Sequence, residues 1–156
     1  MTSYDFQDGK GLVPAHRHTN GGGWVADTAD VADTAYIDVN ARVYGNARVS
    51  GYACVYDNAR VSGNAWVYGY TRVSGYARVS GNALVYGDAR VSGYAWVFGD
   101  AWVFGDAWVS DNAWVFGDAW VFGDARVFDN ARVSDNARVS GNAPSQKISD
   151  DYDISG

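Results

Sequence analysis

Two histidines near the N-terminus are the first residues whose type and spacing could do chemistry. His16 and His18 flank one arginine, so an extended segment would present both imidazoles on the same side. Imidazole is a common zinc ligand, but no evident third ligand accompanies the pair. The two histidines are therefore interpreted either as part of a weak metal site or as polar residues of a terminal loop.

A stack of aspartates is the second candidate site. Asp88, Asp106 and Asp124 recur at intervals of 18 residues. If they stack, carboxylates about 5 Å apart repel each other, so they either share protons or attract a cation. Calcium prefers such oxygen clusters, and a calcium site here is the alternative to solvated, splayed carboxylates.

The chain has a single cysteine, Cys54, so it cannot form an internal disulfide. The thiol could be reactive, could link two chains, or could be an ordinary surface residue.

A strict six-residue repeat must position most of these side chains. Twenty consecutive hexads run without a gap from Trp24 to Ala143, with the consensus x-Val-x-Gly-(Asn/Asp/Tyr)-Ala. Position two is Val in every hexad except one, which has Ile37, and position six is Ala in every hexad except one, which has Thr71. Such strictness indicates that the two positions share one crowded environment.

The repeat predicts short strands separated by tight turns. The Ala-x-Val-x segment alternates with a period of two, so Ala and Val point inward from a strand. Gly and then Asn or Asp follow, and both tolerate positive φ, so the chain turns there. Three such sides make a triangular coil of 18 residues, and twenty hexads give between six and seven coils. We therefore predict an all-β fold, a single-stranded parallel β-solenoid with a core of stacked Val and Ala.

The repeat divides the chain into three parts. Residues 1–23 are predicted to form an N-terminal cap in which Phe6, Leu12 and Val13 cover the open end of the core. Residues 21–23 are three glycines, which predict a flexible connection to the first coil. Residues 24–143 form the solenoid. Residues 144–156 begin with a proline, which cannot donate to a strand ladder, and are predicted to be a polar C-terminal tail.

The aliphatic residue at every sixth position, with a small residue two positions before it, resembles the hexapeptide-repeat family of left-handed parallel β-helices. The resemblance covers residues 24–143 and departs from the family pattern in one respect, because Tyr, Ser or Phe separates the aliphatic residue from Gly. Residues 40–47 (NARVYGNA) look most like small uncharacterised bacterial and phage proteins. The resemblance implies a left-handed coil, the alternative being a right-handed solenoid of another cross-section.

Known enzymes of this family include acyltransferases and a class of zinc carbonic anhydrase. The acyltransferases need a histidine base in or beside the coils, and the anhydrases need several histidine ligands from neighbouring coils. Here both histidines precede the solenoid and no insertion interrupts the repeats, so no catalytic role is carried over to any residue. We therefore predict that the protein is not an enzyme and has no cofactor, with an acyltransferase-like enzyme as the third-ranked alternative.

The outward positions one and three of the repeat collect the aromatic residues. Stacking at intervals of three hexads predicts one face made of Trp66, Tyr68, Leu84, Tyr86, Trp102, Phe104, Trp120 and Phe122, and a second face made of Trp96, Phe98, Trp114 and Phe116. Apolar patches of this extent usually mark an interaction site. Three interpretations compete: burial against further copies of the chain, stacking on sugar rings, and stabilisation of the strands by ladder packing.

Arginine occupies position one in most of the other hexads. Arg42, Arg60 and Arg78 are predicted to stack on one face, and Arg72 and Arg90 on another. The columns could bind anions such as phosphate, or could be solvated surface balanced by aspartates at nearby turns.

These features predict a non-catalytic structural protein that associates with itself, building a fibre or bundle or acting as an interaction shaft. Homo-oligomers would form through the aromatic faces or through the solenoid ends, where an acidic first coil and a basic last coil favour head-to-tail stacking. The alternative is a carbohydrate-binding or adhesin-like module whose aromatic face holds a glycan.

Charge and hydropathy restrict the partners and the location. With 18 Asp+Glu against 12 Lys+Arg the net charge is −6, which disfavours nucleic acid as a partner. No apolar run approaches about 18 residues, so no membrane-spanning helix is expected. The N-terminus lacks the basic start and apolar stretch of a signal peptide, which predicts a cytoplasmic location, with an extracellular or virion-associated location as the alternative.

Overall fold

The chain winds through three sheets in turn, so that three successive hexads complete one coil. The computed structural model describes residues 2–141, 147–148 and 153–155. Neighbouring strands of the solenoid pair in register one coil apart, as Arg42 does with Arg60. Seven-stranded sheets give about seven coils, and no helix occurs among the described residues. The predicted parallel β-solenoid is therefore confirmed, and the left-handed winding implied by the resemblance stays a prediction.

The three sheets, named A, B and C in the order the chain visits them, account for every described strand. Sheet A contains β1 (Ser3–Asp5), β2 (Leu12–Arg17), β3 (Trp24–Ala26), β6 (Arg42–Val43), β9 (Arg60–Val61), β12 (Arg78–Val79), β15 (Trp96–Val97), β18 (Trp114–Val115), β21 (Arg132–Ser134) and β24 (Asp153–Ser155). Sheet B contains β4 (Asp30–Val31), β7 (Arg48–Val49), β10 (Trp66–Val67), β13 (Leu84–Val85), β16 (Trp102–Val103), β19 (Trp120–Gly123) and β22 (Arg138–Gly141). Sheet C contains β5 (Tyr36–Ile37), β8 (Cys54–Val55), β11 (Arg72–Val73), β14 (Arg90–Val91), β17 (Trp108–Val109), β20 (Arg126–Val127) and β23 (Lys147–Ile148).

The core is a stack of the repeat's valines and alanines. From Ala35 to Val133 the residue at positions two and six of every hexad is fully buried. Of these positions in the described residues, only Ala29 and Val31, in the first two hexads, are partly buried. The inward assignment of the two positions is therefore confirmed, and each coil buries the same small side chains against the next.

The turn of most hexads depends on position four, where the backbone takes a positive φ. Gly45 has a φ of 66°, and a Cβ at Gly45 would lie 3.0 Å from the backbone nitrogen of Gly63 one coil later. In several hexads that lack this glycine, an aspartate holds the same conformation, as at Asp57 with a φ of 57°. The residue at position five, also predicted to tolerate positive φ, does not adopt it in the described residues.

The N-terminal segment covers the first coil on two of its three sides. Strands β1 and β2 pair antiparallel, and β2 pairs antiparallel with β3, so they lengthen sheet A. Phe6 is buried with Ala15 in a small second core, against which Val13 packs. This second core is separate from the valine core and Leu12 is 72% exposed, so the prediction that Phe6, Leu12 and Val13 cover the open end of the valine core is wrong. The register explains this, because Ala15 pairs with Ala26, an outward position of the repeat, so Val13 and Ala15 lie on the outer side of sheet A.

The glycine run closes the edge of sheet C. The carbonyl of Asn20 accepts a hydrogen bond from the Ile37 N–H (3.0 Å), and the Gly23 N–H donates to the Ile37 carbonyl (2.9 Å). A Cβ at Gly21 would collide with the carbonyl oxygen of Ile37. The glycines are therefore needed for close backbone approach, contrary to the prediction of a flexible connection.

Two strands continue the solenoid beyond the last hexad. β23 pairs in parallel with β20, with Ile148 in register with Val127, and β24 pairs in parallel with β21, with Ile154 in register with Val133. Val127 and Ile148, like Val133 and Ile154, are further apart in sequence than the paired residues of two regular coils, so strand pairing continues although the six-residue repeat has ended. The predicted tail therefore contributes strands to sheets A and C, and Pro144 lies outside the described residues.

We expect Thr71→Ala to stabilise the protein by about 1 kcal/mol. The Thr71 side chain is fully buried, and its hydroxyl has no hydrogen-bond partner among the described residues. The reverse change one coil later, Ala89→Thr, should destabilise by a similar amount because it buries a second unpaired hydroxyl in the same column. Urea denaturation measures both; equal midpoints for Thr71→Ala, Ala89→Thr and the unchanged protein would contradict the expectation.

Candidate functional site

The aromatic side chains on sheet B form one continuous ladder, here called the B face. Its members are Trp66, Tyr68, Leu84, Tyr86, Trp102, Phe104, Trp120 and Phe122, as the stacking of every third hexad predicts. The position-one residues lie in register on β10, β13, β16 and β19. Most of these side chains are half-buried by their neighbours in the ladder, and Trp66 is 39% exposed. The B face is therefore an ordered apolar surface four coils tall.

The rings of the B face stack on one another along the solenoid axis. The Tyr68 and Tyr86 ring centroids are 5.0 Å apart with planes 4° apart, and the Tyr86 and Phe104 centroids are 4.9 Å apart at 2°. Trp102 and Trp120 are 4.7 Å apart at 3°. Because the position-three rings and the Trp102–Trp120 pair place flat sides against each other, solvent meets mainly ring edges along these two columns.

The second predicted face lies on sheet A and is less regular. Phe98 and Phe116 stack at 4.9 Å and 3°, while Trp96 and Trp114 meet edge to face at 5.4 Å and 76°. This A face spans two coils, so it is half as tall as the B face.

Arginine guanidinium groups lie over the rings at the ends of the aromatic columns. The guanidinium carbon of Arg138 is 4.3 Å from the Trp120 ring centroid, and that of Arg48 is 5.7 Å from Trp66. On sheet C, Trp108 lies between Arg90 at 5.5 Å and Arg126 at 5.4 Å. The sequence prediction missed these cation–π contacts, although Arg and Trp at position one of hexads one coil apart carry the signal.

Burial changes the acidity of two tyrosines in the ladder. It raises the pKa of Tyr68, and it raises the pKa of Tyr86, where the neighbouring Tyr68 adds to the effect. Both phenol groups are therefore held in the neutral form more strongly than tyrosines in an unfolded chain.

The aspartate corner is observed as a shallow depression of about 260 Å³. Asp88, Asp106 and Asp124 line it together with Arg90 and Arg126, which supply compensating positive charge. No group of three or more His, Cys, Asp or Glu side chains within the described part of the chain is arranged to hold a metal ion. The predicted calcium site thus gains no support from the geometry.

The two histidines of the cap bind different partners. His16 Nδ1 is 2.7 Å from an oxygen of Asp27, and both side chains are about half exposed. His18 is buried, and its Nε2 is 2.8 Å from the carbonyl oxygen of Ala35. His18 thereby ties the cap to the first coil through a contact that no sequence pattern predicts.

Cys54 lies in register between Tyr36 and Arg72 on sheet C. The thiol is half-buried and donates a hydrogen bond to the Tyr52 carbonyl at 3.6 Å. Its hydrogen bond with Tyr56 raises the pKa of that phenol, and burial contributes to the rise.

Comparison with known proteins finds one family similarity. Residues 41–57, 53–69, 59–75, 77–93, 85–99 and 131–143 are similar to the YdcK beta-solenoid repeat. No curated protein and no solved structure matches the chain. The similarity supports a β-solenoid repeat protein, and membership of the hexapeptide-repeat family stays a prediction. Among the described residues, no helix has the length and apolar character needed to span a membrane.

We expect the protein to lose stability as the pH rises above about 10, the ordinary tyrosine pKa. The pKa values of Tyr68 and Tyr86 are raised in the folded state, so the unfolded chain releases these protons first. Their contribution is fully present below the unfolded pKa and is lost as pH rises through the folded pKa. Urea denaturation at pH 8 and pH 11 should show a smaller loss for Tyr68→Phe with Tyr86→Phe than for the unchanged protein.

The matched control replaces two exposed stacked rings, Tyr52→Phe with Tyr70→Phe, which are 60% and 65% exposed. If both double variants reduce the alkaline loss of stability by the same amount relative to the unchanged protein, burial of the B-face phenols is not the cause of that loss.

Proposed function

We propose that the protein is a non-catalytic structural solenoid whose B face pairs with the B face of a second copy. The observation that carries the proposal is the extent of the apolar ladder. Four coils at about 4.8 Å give a surface roughly 19 Å tall, which is large for exposed apolar surface on a monomer. Aromatic residues and arginine are also the types enriched in protein–protein interfaces.

A two-fold arrangement centred on Leu84 fits the order of residues along sheet B. Leu84 is the outward residue of β13, the middle strand of sheet B, and it lies between Trp66 on β10 and Trp102 on β16. In such a pair the two solenoids run antiparallel, so each Arg138 faces the Asp30 of the partner subunit. Trp120 would then face Arg48 of the partner subunit, and the opposite charges beyond them favour this register over a parallel one.

Carbohydrate binding on the B face is less well supported. Sugar recognition by aromatic residues uses the flat side of a ring. On the B face those sides are taken up by the next ring, as between Tyr86 and Phe104 at 4.9 Å. Ring edges can still pack against protein side chains, which need no flat platform.

Head-to-tail growth is also less well supported than lateral pairing. At the N-terminal end, β2 covers sheet A and the segment around Gly23 covers sheet C. Only β4 remains as a repeat strand at the edge of its sheet there. Covered edges suppress the strand pairing that axial stacking would require.

Absence of catalysis remains part of the proposal and has its own support. His16 is paired with Asp27, and His18 is buried against a backbone carbonyl. Both are accounted for by contacts that hold the cap together, and both precede the coils. An acyltransferase-like activity would therefore have to use residues other than its usual histidine base.

Replacing Trp102 with Ser should weaken self-association by about 2 kcal/mol or more, as expected for a central interface tryptophan. The matched control is Trp108→Ser, which changes the same repeat position in the next hexad but lies on sheet C. Sedimentation velocity over a concentration series measures the dissociation constant of each protein. Circular dichroism checks that both variants remain folded.

Leu84→Asp is a second variant that tests the two-fold arrangement, because it sets two carboxylates against each other across the axis. A monomeric unchanged protein at every concentration, or equal association of the Trp102→Ser and Trp108→Ser variants, would refute pairing through the B face.

A further inference from the structure

A groove of about 370 Å³ runs along the corner where the chain passes from sheet C to sheet A. One wall is a column of arginines, Arg42, Arg60 and Arg78, in register on β6, β9 and β12. The other residues that line the groove are the position-five side chains Asn40, Asn58, Tyr76 and Tyr94. The groove thus combines three guanidinium groups with four neutral polar side chains.

The charge of this arginine column is not compensated. Within the described residues none of the three arginines forms an ion pair; Arg90 and Arg126 form none either, so the columns differ in the carboxylates that lie nearby. The carboxylate at the same corner, Asp57, accepts a hydrogen bond from the Gly75 N–H at 3.1 Å and does not line the groove. Like charges about 4.8 Å apart repel each other, so a bound anion would lower the energy of the column.

The neighbouring corner of the same solenoid shows what compensation looks like. There the position-five column is Asp88, Asp106 and Asp124, and it lies beside Arg90 and Arg126. Asn and Tyr occupy the equivalent positions beside the column of Arg42, Arg60 and Arg78. Carboxylates therefore lie beside the arginines of one depression, and neutral polar side chains lie beside the arginines of the groove.

One arginine of the column also carries an unpaired buried nitrogen. Arg42 Nη1 is buried and has no hydrogen-bond partner among the described residues. Buried donors are nearly always paired in folded proteins, so Arg42 is the arginine of the column whose hydrogen bonding is least complete. The outer arginines are held in place by aromatic rings, Arg42 over Tyr4 at 5.5 Å and Arg78 over Trp96 at 5.8 Å.

We propose that this groove binds an acidic oligosaccharide that carries one carboxylate or sulfate on each sugar. A sugar unit in an extended chain advances by nearly the height of one coil, about 4.8 Å, so a chain that lies along the groove passes one arginine for each sugar. The guanidinium fork binds planar and tetrahedral oxyanions through two hydrogen bonds. Asparagine amides and tyrosine hydroxyls both donate and accept, which suits the hydroxyl groups between the anions.

More densely charged polymers fit the surroundings less well. The net charge of the chain is −6, so a nucleic acid or a long polyphosphate that ran past three arginines would meet an acidic surface. Bases also find no platform here. The Tyr76 and Tyr94 rings stack on each other at 5.1 Å and 4°, so one flat side of each ring is already covered.

The groove is separate from the surface proposed for self-association. It lies at the corner between sheets C and A, and the B face lies on the third side of the coil. A pair of copies joined through their B faces leaves both grooves open, and failure of either proposal does not affect the other.

Titration calorimetry of the full chain with four probes tests the proposal: a trimer of galacturonic acid, a sulfated maltotriose, neutral maltotriose and tripolyphosphate. We expect at least one acidic trimer to bind, maltotriose not to bind, and added salt to weaken binding. Arg60→Gln, in the middle of the column, should raise the dissociation constant about tenfold or more because a charge-assisted hydrogen bond is lost. Arg90→Gln, in the column compensated by aspartates, should leave it nearly unchanged.

The two acidic trimers distinguish a carboxylate ligand from a sulfate ligand. Failure of both to bind, or equal weakening by Arg60→Gln and Arg90→Gln, would overturn the assignment of the groove. Binding of tripolyphosphate as tight as that of the acidic trimers would overturn its assignment to sugars. Thermal melts of the two variants show whether both remain folded, so that a change in affinity is attributed to the groove.

Discussion

Each coil of the solenoid is hydrogen-bonded to the next through its backbone, and this constraint sets most of the structure. The N–H of Arg42 donates to the carbonyl of Ala59, and the N–H of Tyr44 donates to the carbonyl of Val61. Such a ladder requires coils of constant length and similar backbone path. Constant coil length in turn requires that every side of the triangle bury the same small side chains and turn at the same position.

The tightest point of this geometry is the turn. Position four needs a positive φ, and its α-carbon lies so close to the next coil that a Cβ at Gly81 would be 2.8 Å from the Gly99 nitrogen. Asp111, Asp129 and Asp135 accept the same conformation in the later coils, which shows that the backbone path tolerates a side chain there. Glycine and aspartate are thus selected by the backbone path, while the outward positions are left free to vary.

That freedom makes the outer surface the place where function is encoded. Trp66 and Arg60 occupy the same repeat position in consecutive hexads, yet one lies on the B face and the other in the groove. The core cannot distinguish them, because position one points outward on every side. An aromatic face and a charged groove can therefore coexist on a scaffold whose interior is the same throughout.

Sequence alone determined the period, the core and the membership of each outward column, since identical positions share one environment and a separation of three hexads defines the neighbours. It did not determine how the cap folds, because residues 2–23 carry no repeat; the contacts of His18 with Ala35 and of Gly23 with Ile37 join segments whose pairing no periodicity encodes. Tertiary structure also decided the orientation of the rings. Column membership follows from spacing, but whether Trp102 and Trp120 stack flat while Trp96 and Trp114 meet edge to face depends on the side-chain rotamers that neighbouring rings leave open.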